Sequence, residues 1–157
     1  MIESFDVAVV QMCSGPDKSE NLETASRYVE QAARDGAQLV VLPELFNCLA
    51  SFRQILSQAE TIPGPTSEAM SRLARQLGIT LLAGSLCEQA DTANRGYNTS
   101  LLFNTDGELL SRYRKIHVFD VDLPQGPSIT ESAWMSPGKQ CCVTNTSTAK
   151  IGQATCY

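Results

Sequence analysis

The 157-residue chain holds a single histidine and a single tryptophan, and its aromatic content is only 6%. Its six cysteines are Cys13, Cys48, Cys87, Cys141, Cys142 and Cys156, with no C-x-x-C pair, and His117 is far in sequence from all of them. A zinc site needs closely spaced Cys and His ligands, so none is expected. Apolar runs such as Val7 to Val10 and Leu39 to Leu42 are far too short to span a bilayer. Met1 to Asp6 carries two acids and no basic residue, which is wrong for a secretory leader. Without a leader, a disulfide framework is not expected, and a soluble cytoplasmic protein is. Positive charge is scarce too: Lys and Arg total 12 against 17 Asp and Glu, a net charge of −5. The densest basic cluster is Arg112, Arg114 and Lys115, read as a solvated strand end. Phosphate binding needs a basic stripe, so nucleic acid is excluded as a partner.

What is present is the pattern of an α/β domain. Hydrophobic residues make up 43%, enough for a packed core in a chain of one-domain length. Phe5 to Met12 reads as a buried strand. Asn21 to Asp35 reads as a helix, with Leu22, Ala25, Val29 and Ala32-Ala33 on one face, Asp17 and Glu20 near its start and Gly36 as its cap. Gln38 to Leu42 is a second buried strand, so the first 44 residues suggest a βαβ unit with a right-handed crossover. Pro63-Gly64-Pro65 leads into a helix over Thr66 to Leu77, capped by Thr66 and ended by Gly78. Ile79 to Leu86 is a third strand. Tyr97 to Phe103 and Glu108 to Arg114 flank Asn104-Thr105-Asp106-Gly107, a hairpin signal. Val118 to Lys139 reads as a long structured loop. Cys142 to Thr144 and Lys150 to Thr155 read as two last strands. The sum is a mixed sheet with helices packed on it. Cys13, Cys48 and Cys87 are expected to be buried apolar fillers, and Cys141–Cys142 to alternate across a strand.

Three segments place a reactive group at a strand end, where catalytic groups in open α/β sheets gather. Glu44 follows the apolar strand directly, in Leu42-Pro43-Glu44-Leu45-Phe46. A carboxylate there is poorly solvated, which suits a general base; the plainer alternative is a strand-end glutamate in water. Lys115 ends a hairpin strand and suits an oxyanion-stabilising cation, or a surface lysine. Cys156 follows small residues in Ile151-Gly152-Gln153-Ala154-Thr155-Cys156-Tyr157. A nucleophilic cysteine needs a base and oxyanion donors, which Glu44 and Lys115 supply if the fold unites them. The alternative is a buried structural thiol. His117, two residues beyond Lys115, projects to the same face of an extended strand and stays in contention as a base on spacing alone. A packing or loop-ordering role is the ordinary alternative.

Taken together, LPELF, YRKIHVFD and IGQATCY, with VAVVQM, GAQLVVLPE, IPGPTSE, LLAGS, YNTSLLFNTDGELLSRYRKIH and ESAWMSPG in order, resemble the nitrilase superfamily of carbon–nitrogen hydrolases. The resemblance covers essentially all 157 residues. It implies an α–β–β–α sandwich and a Glu44–Lys115–Cys156 triad. Glu44 would deprotonate Cys156 and later activate water. Lys115, with a backbone N–H near Cys156 and Tyr157, would hold the oxyanion, and Cys156 would form the thioester. The second glutamate of many members matches Glu131 in Thr130-Glu131-Ser132, positioning Lys115 or the substrate. No cofactor is implied. Tyr157 after the cysteine, HVFDVDLP and ESAWMSPG look most like the omega-amidase and deaminated glutathione amidase branch, whose substrates are small linear amides carrying a carboxylate.

Family members continue well past the cysteine. The resemblance therefore implies one carbon–nitrogen hydrolase domain over residues 1–157, truncated just after the nucleophile, with the second half of the sandwich missing. Such a piece is expected to expose apolar sheet surface and to be inactive alone. The full-length form is expected to be a homo-oligomer, a dimer. Alternatives are a non-catalytic remnant that binds a partner, a true nitrilase, and a glutaminase module feeding a synthetase.

Overall fold

The computed structural model describes residues 4–155. The element order is β1 (Val7–Val9), α1 (Lys18–Arg34), β2 (Leu39–Val41), α2 (Phe52–Ser57), α3 (Pro65–Leu77), β3 (Thr80–Gln89), β4 (Gly96–Phe103), β5 (Leu109–Arg114), β6 (Asp120–Asp122), β7 (Ser128–Thr130), a 3-10 turn (Glu131–Ala133), β8 (Cys142–Asn145) and β9 (Lys150–Gln153). Strands β1 to β5 form one sheet in sequence order; β1–β2–β3 are parallel and β3–β4–β5 antiparallel. This is the mixed α/β sheet expected from the pattern. No helix is long and apolar enough to cross a membrane among the described residues.

Helix α1 starts at Lys18, three residues before the expected Asn21. Asp17 caps it by accepting from the Glu20 amide at 3.0 Å, so a polar first turn invisible to periodicity is helical. Ala25 and Val29 are buried against the sheet. Gly36, at φ +99°, follows the Asp35 cap. Helix α3 begins one residue earlier than expected, with Gly64 at the cap and Pro65 in the first turn. Thr66 is not the cap. It is buried, and its N–H and hydroxyl both donate to Glu60, at 2.7 and 2.5 Å. Lys18 reaches the same carboxylate at 2.6 Å. Burial raises the Glu60 pKa, but the hydrogen bonds from Lys18 and Thr66 outweigh it, and the net shift is downward.

One core fills the space between α1, α3 and the near face of the sheet: Ala25, Val29, Val40, Met70, Leu73, Leu81, Ala83, Leu101 and Phe103 belong to it. The far face is partly open. Strand β1 is shorter than the expected Phe5 to Met12 and is not buried: Val7 is 48% and Val9 79% exposed, while Ala8 packs inward. Its position explains this, since β1 lies at the sheet edge and packs on the core through one face. Helix α2 had no expectation in the sequence; with only Ile55 buried, it has little periodic signal. The 118–139 segment is the structured loop expected, with β6 and β7 paired inside it. Strands β8 and β9 form a separate antiparallel pair beside β5.

Cys48 and Cys87 are buried as expected, but Cys13 is exposed. Cys141 is exposed and precedes β8, so it does not alternate with Cys142 across a strand. The basic cluster is only in part the solvated strand end expected: the Arg112 and Arg114 side chains remain 35% and 36% exposed but are tied down. Arg112 and Arg114 both pair with buried Glu88, and Arg114 lies over the Tyr97 ring at 3.8 Å. Lys115 is buried elsewhere.

Two contacts decide how the first half of the sheet is held. Strand β3 carries a register shift between Ala83 and Leu86. There a Cβ on Gly84 would run into the carbonyl oxygens of Leu42 and Pro43. Gly84→Ala is expected to push that backbone away and to destabilise the protein by about 1–3 kcal/mol, the usual penalty of overpacking, read by denaturant unfolding. The second contact is Glu60. Its pKa is lower folded than unfolded, so its contribution is complete above the ordinary carboxylate range and disappears as pH falls through the folded value. Acid unfolding of wild type is expected to be steeper than that of Glu60→Gln over this window. Parallel curves would refute the assignment.

Candidate functional site

The Glu44 side chain sits where β2 gives way to a tight turn. Leu42 still donates to Leu82, and Ser85 donates to the Pro43 carbonyl at 3.3 Å. Leu45 then takes φ +49°, in the left-handed region that a β-region strand residue does not visit. Its amide is held by the Ser85 hydroxyl at 2.8 Å, and Phe46 N–H by the Ser85 carbonyl. One serine on β3 thus secures the unusual backbone that turns Glu44 away from the strand.

Lys115 follows β5. Its N–H donates to the Asn98 carbonyl at 2.8 Å, and its own carbonyl accepts from Gly138 at 2.7 Å. Its side chain is 2% exposed and lies between two carboxylates: Nζ is 2.9 Å from Glu44 Oε1 and 3.0 Å from Glu131 Oε2. Glu131 opens the 3-10 turn, and Phe119 N–H donates to its Oε2 at 2.5 Å. Arg95 fastens the same turn, donating to the carbonyls of Ser132 and Met135 at 2.6 and 2.8 Å. Burial lowers the Lys115 pKa, but the hydrogen bonds and charges of Glu44 and Glu131 outweigh it, so the net shift is upward. Lys115 is therefore an ammonium across the neutral range. It has three protons, two of which point at the carboxylates, leaving one for a third partner.

Three of the four residues singled out in the sequence therefore meet: Glu44, Lys115 and Glu131. Cys156 lies outside the described residues. The strand that leads toward it, β9, ends at Gln153, whose side chain contacts Ser111 of β5 at 2.5 Å and Ser100 of β4 at 3.3 Å. His117 does not join the cluster. Chain direction changes after β5, and His117 is exposed, with no hydrogen bond or ion pair among the described residues.

Sequence reasoning did not single out Asn98. Its Nδ2 donates to Glu44 Oε1 at 2.6 Å and to Glu131 Oε1 at 3.3 Å. The available signal was a polar Asn98-Thr99-Ser100 run inside a strand segment, a weak one without the fold. Among the described residues, Glu44 Oε2 is buried with no hydrogen-bond partner. Among the described residues, no group of three or more His, Cys, Asp or Glu side chains is placed to hold a metal. What the site holds is a buried cation with a spare proton beside a carboxylate oxygen with none. That arrangement suits proton abstraction next to a developing negative charge.

Comparison with known proteins agrees. Residues 6–157 match the carbon–nitrogen hydrolase family. Omega-amidase NIT2 of Xenopus tropicalis is 40% identical over 153 residues, covering 98% of this chain and 55% of that protein. Omega-amidase NIT3 of Saccharomyces cerevisiae is 38% identical, over 99% of this chain and 56% of that one. The chain thus spans about half the length of the curated relatives it matches. Among solved structures, Saccharomyces cerevisiae Nit3, a member of branch 10 of the nitrilase superfamily, aligns with TM-score 0.79 at 35% identity, over 94% of this chain and 54% of that one. An amidase mutant from Nesterenkonia sp. AN1, carrying acrylamide added at its active-site cysteine, aligns with TM-score 0.80 at 26% identity, over 98% and 58% of the two chains. With the sheet order, the buried Glu–Lys–Glu cluster and a family match over nearly its whole length, the chain belongs to the carbon–nitrogen hydrolase family of the nitrilase superfamily.

Proposed function

We propose that this chain supplies the reacting groups of an amidase, Glu44, Lys115 and Cys156 with Glu131 beside them, that hydrolyses small linear amides through a cysteine thioester. The observation that supports it most is the unequal state of the two Glu44 oxygens: Oε1 accepts from Lys115 and Asn98, and Oε2 from nothing among the described residues. In the reaction, Glu44 Oε2 takes the Cys156 thiol proton as sulfur attacks the amide carbon. The remaining Lys115 proton meets the oxyanion. Collapse breaks the C–N bond, and the leaving nitrogen takes the proton from Glu44, releasing ammonia. Glu44 then deprotonates a water that attacks the thioester; the C–S bond breaks, the sulfur takes the proton back from Glu44, and the new acid leaves with the Cys156 thiol and the Glu44 carboxylate restored. Glu131 keeps Lys115 in place. The resemblance to the omega-amidase branch points to amides carrying a distal carboxylate as the substrates of this protein.

The test is ammonia release by the full-length protein that carries this chain, from small linear amides, with and without a distal carboxylate, and from the corresponding nitriles. Amides are expected to react and nitriles not. Glu44→Gln and Lys115→Ala are each expected to lower kcat by about 10²–10³-fold, the scale of losing one transition-state group, and Cys156→Ala, which removes the nucleophile, by about 10⁶-fold. Thiol mapping with iodoacetamide provides a second reading. Cys48 is raised by burial and Cys87 is pushed up to about 12, largely by burial, so both should resist alkylation. Cys156 should react fastest, and Glu44→Gln should slow it. A Cys156 no faster than exposed Cys13 and Cys141, with no ammonia released, would favour a partner-binding role instead.

A further inference from the structure

One residue touches all three groups of the cluster. The Asn98 carbonyl accepts the Lys115 N–H at 2.8 Å, and its amide donates to Glu44 Oε1 at 2.6 Å and Glu131 Oε1 at 3.3 Å. We propose that Asn98 is a positioning residue that holds the Glu44 carboxylate in the plane where one of its two oxygens stays free to act as the base, an inference that rests on the catalytic reading of Glu44 given above.

The argument is one of donor counting. A carboxylate has two equivalent oxygens, and a lone lysine beside it leaves both free to exchange by rotation. Here Oε1 receives two donors, the ammonium and the amide, while Oε2 receives none. Rotating Glu44 by half a turn would exchange the oxygens and change nothing. Tilting it away from this plane would break two charge-assisted bonds at once. The two protons of one NH2 group span both carboxylates, so the separation of Glu44 and Glu131 is fixed from the β4 side as Lys115 fixes it from β5. The amide cannot turn over, because its oxygen would then face two carboxylates. Its observed orientation leaves Oδ1 buried and unpartnered among the described residues, a penalty accepted in order to keep both donors on the acids. Asn98 itself is 1% exposed on β4, an interior strand flanked by β3 and β5, so it has little freedom to move. The charged groups in hydrogen-bond contact with Glu44 or with its partners are Lys115 from the end of β5 and Glu131 from the 3-10 turn.

The experiment uses Asn98→Leu and Asn98→Asp in the intact protein, compared with Glu44→Gln, and reads kcat, KM, the pH profile of kcat/KM and Cys156 alkylation. Leu removes both donors; Asp keeps the shape but adds a third carboxylate. The expected result is a fall in kcat of about 10²-fold, the scale of misplacing a reacting group, with KM little changed. The acidic limb should also move to higher pH, because losing a donor makes a carboxylate easier to protonate, and Asp should move it further. Cys156 alkylation should slow in parallel. A fall in kcat with the acidic limb unmoved would overturn the proposal, as would unchanged kinetics. Loss of folding in both variants would overturn it in favour of a purely architectural role. If Glu44→Gln retains full activity, the catalytic reading itself has failed; if Glu44→Gln is inactive and the Asn98 variants are normal, only this inference has.

Discussion

A single ammonium held out of water between two carboxylates is the constraint on which the rest depends. Lys115 is 2% exposed, and such a burial costs several kcal/mol per charge unless geometry and hydrogen bonds repay it. Here Glu44 and Glu131 do so at 2.9 and 3.0 Å. The three side chains come from the end of β2, the end of β5 and the 3-10 turn after β7. Forming the cluster therefore requires the parallel half of the sheet, the antiparallel half and the 118–139 loop to be in register together. Removing one member would leave an uncompensated charge in a dry site, a far larger loss than that of a surface pair.

The supports around the cluster follow from that requirement. Gly84 lets β3 approach the Leu42–Pro43 backbone, and Ser85 holds the left-handed Leu45 that aims Glu44. Arg95 and Phe119 fix the turn that carries Glu131. Glu60 serves α3 in the same way, as a buried acid paid in hydrogen bonds at a helix start. In each case a polar group is buried only where its donors and acceptors are matched.

The two long helices, the mixed sheet and the β4–β5 hairpin were legible because periodicity and turn chemistry are local. Helix ends were read to within three residues, and the errors have local causes: Asp17 rather than the apolar stripe starts α1, and Gly64 rather than Thr66 caps α3. The exposure of Val7 and Val9 was not legible, because an apolar run looks the same at a sheet's edge and at its centre. The environment of Arg112 and Arg114 was missed because Glu88 stands more than twenty residues earlier. Glu44, Lys115 and Glu131 were found through ordered motifs, which carry information about spatial meeting that spacing does not. Asn98, Ser85 and Gly84 lie inside the ordered segments YNTSLLF and LLAGS, but their contacts reach across forty or more residues and nothing in those segments assigns them a role.

Charge balance gives the cluster a chemical logic under the proposed reading. With Glu44 and Glu131 ionised and Lys115 protonated, the three groups sum to one negative charge. A thiolate formed in advance beside them would make two, in a site where water cannot screen the repulsion. A cysteine paired with an imidazole avoids this by forming an ion pair, but His117 is exposed and apart from the cluster. A glutamate base offers a different solution. When the thiol proton passes to Glu44, the carboxylate becomes neutral as the sulfur becomes negative, and the total is unchanged. The negative charge then moves from sulfur to the oxyanion, where the spare Lys115 proton can meet it. Such a site has no need of a standing thiolate, and its reactivity depends on how firmly one Glu44 oxygen is kept free to take the proton.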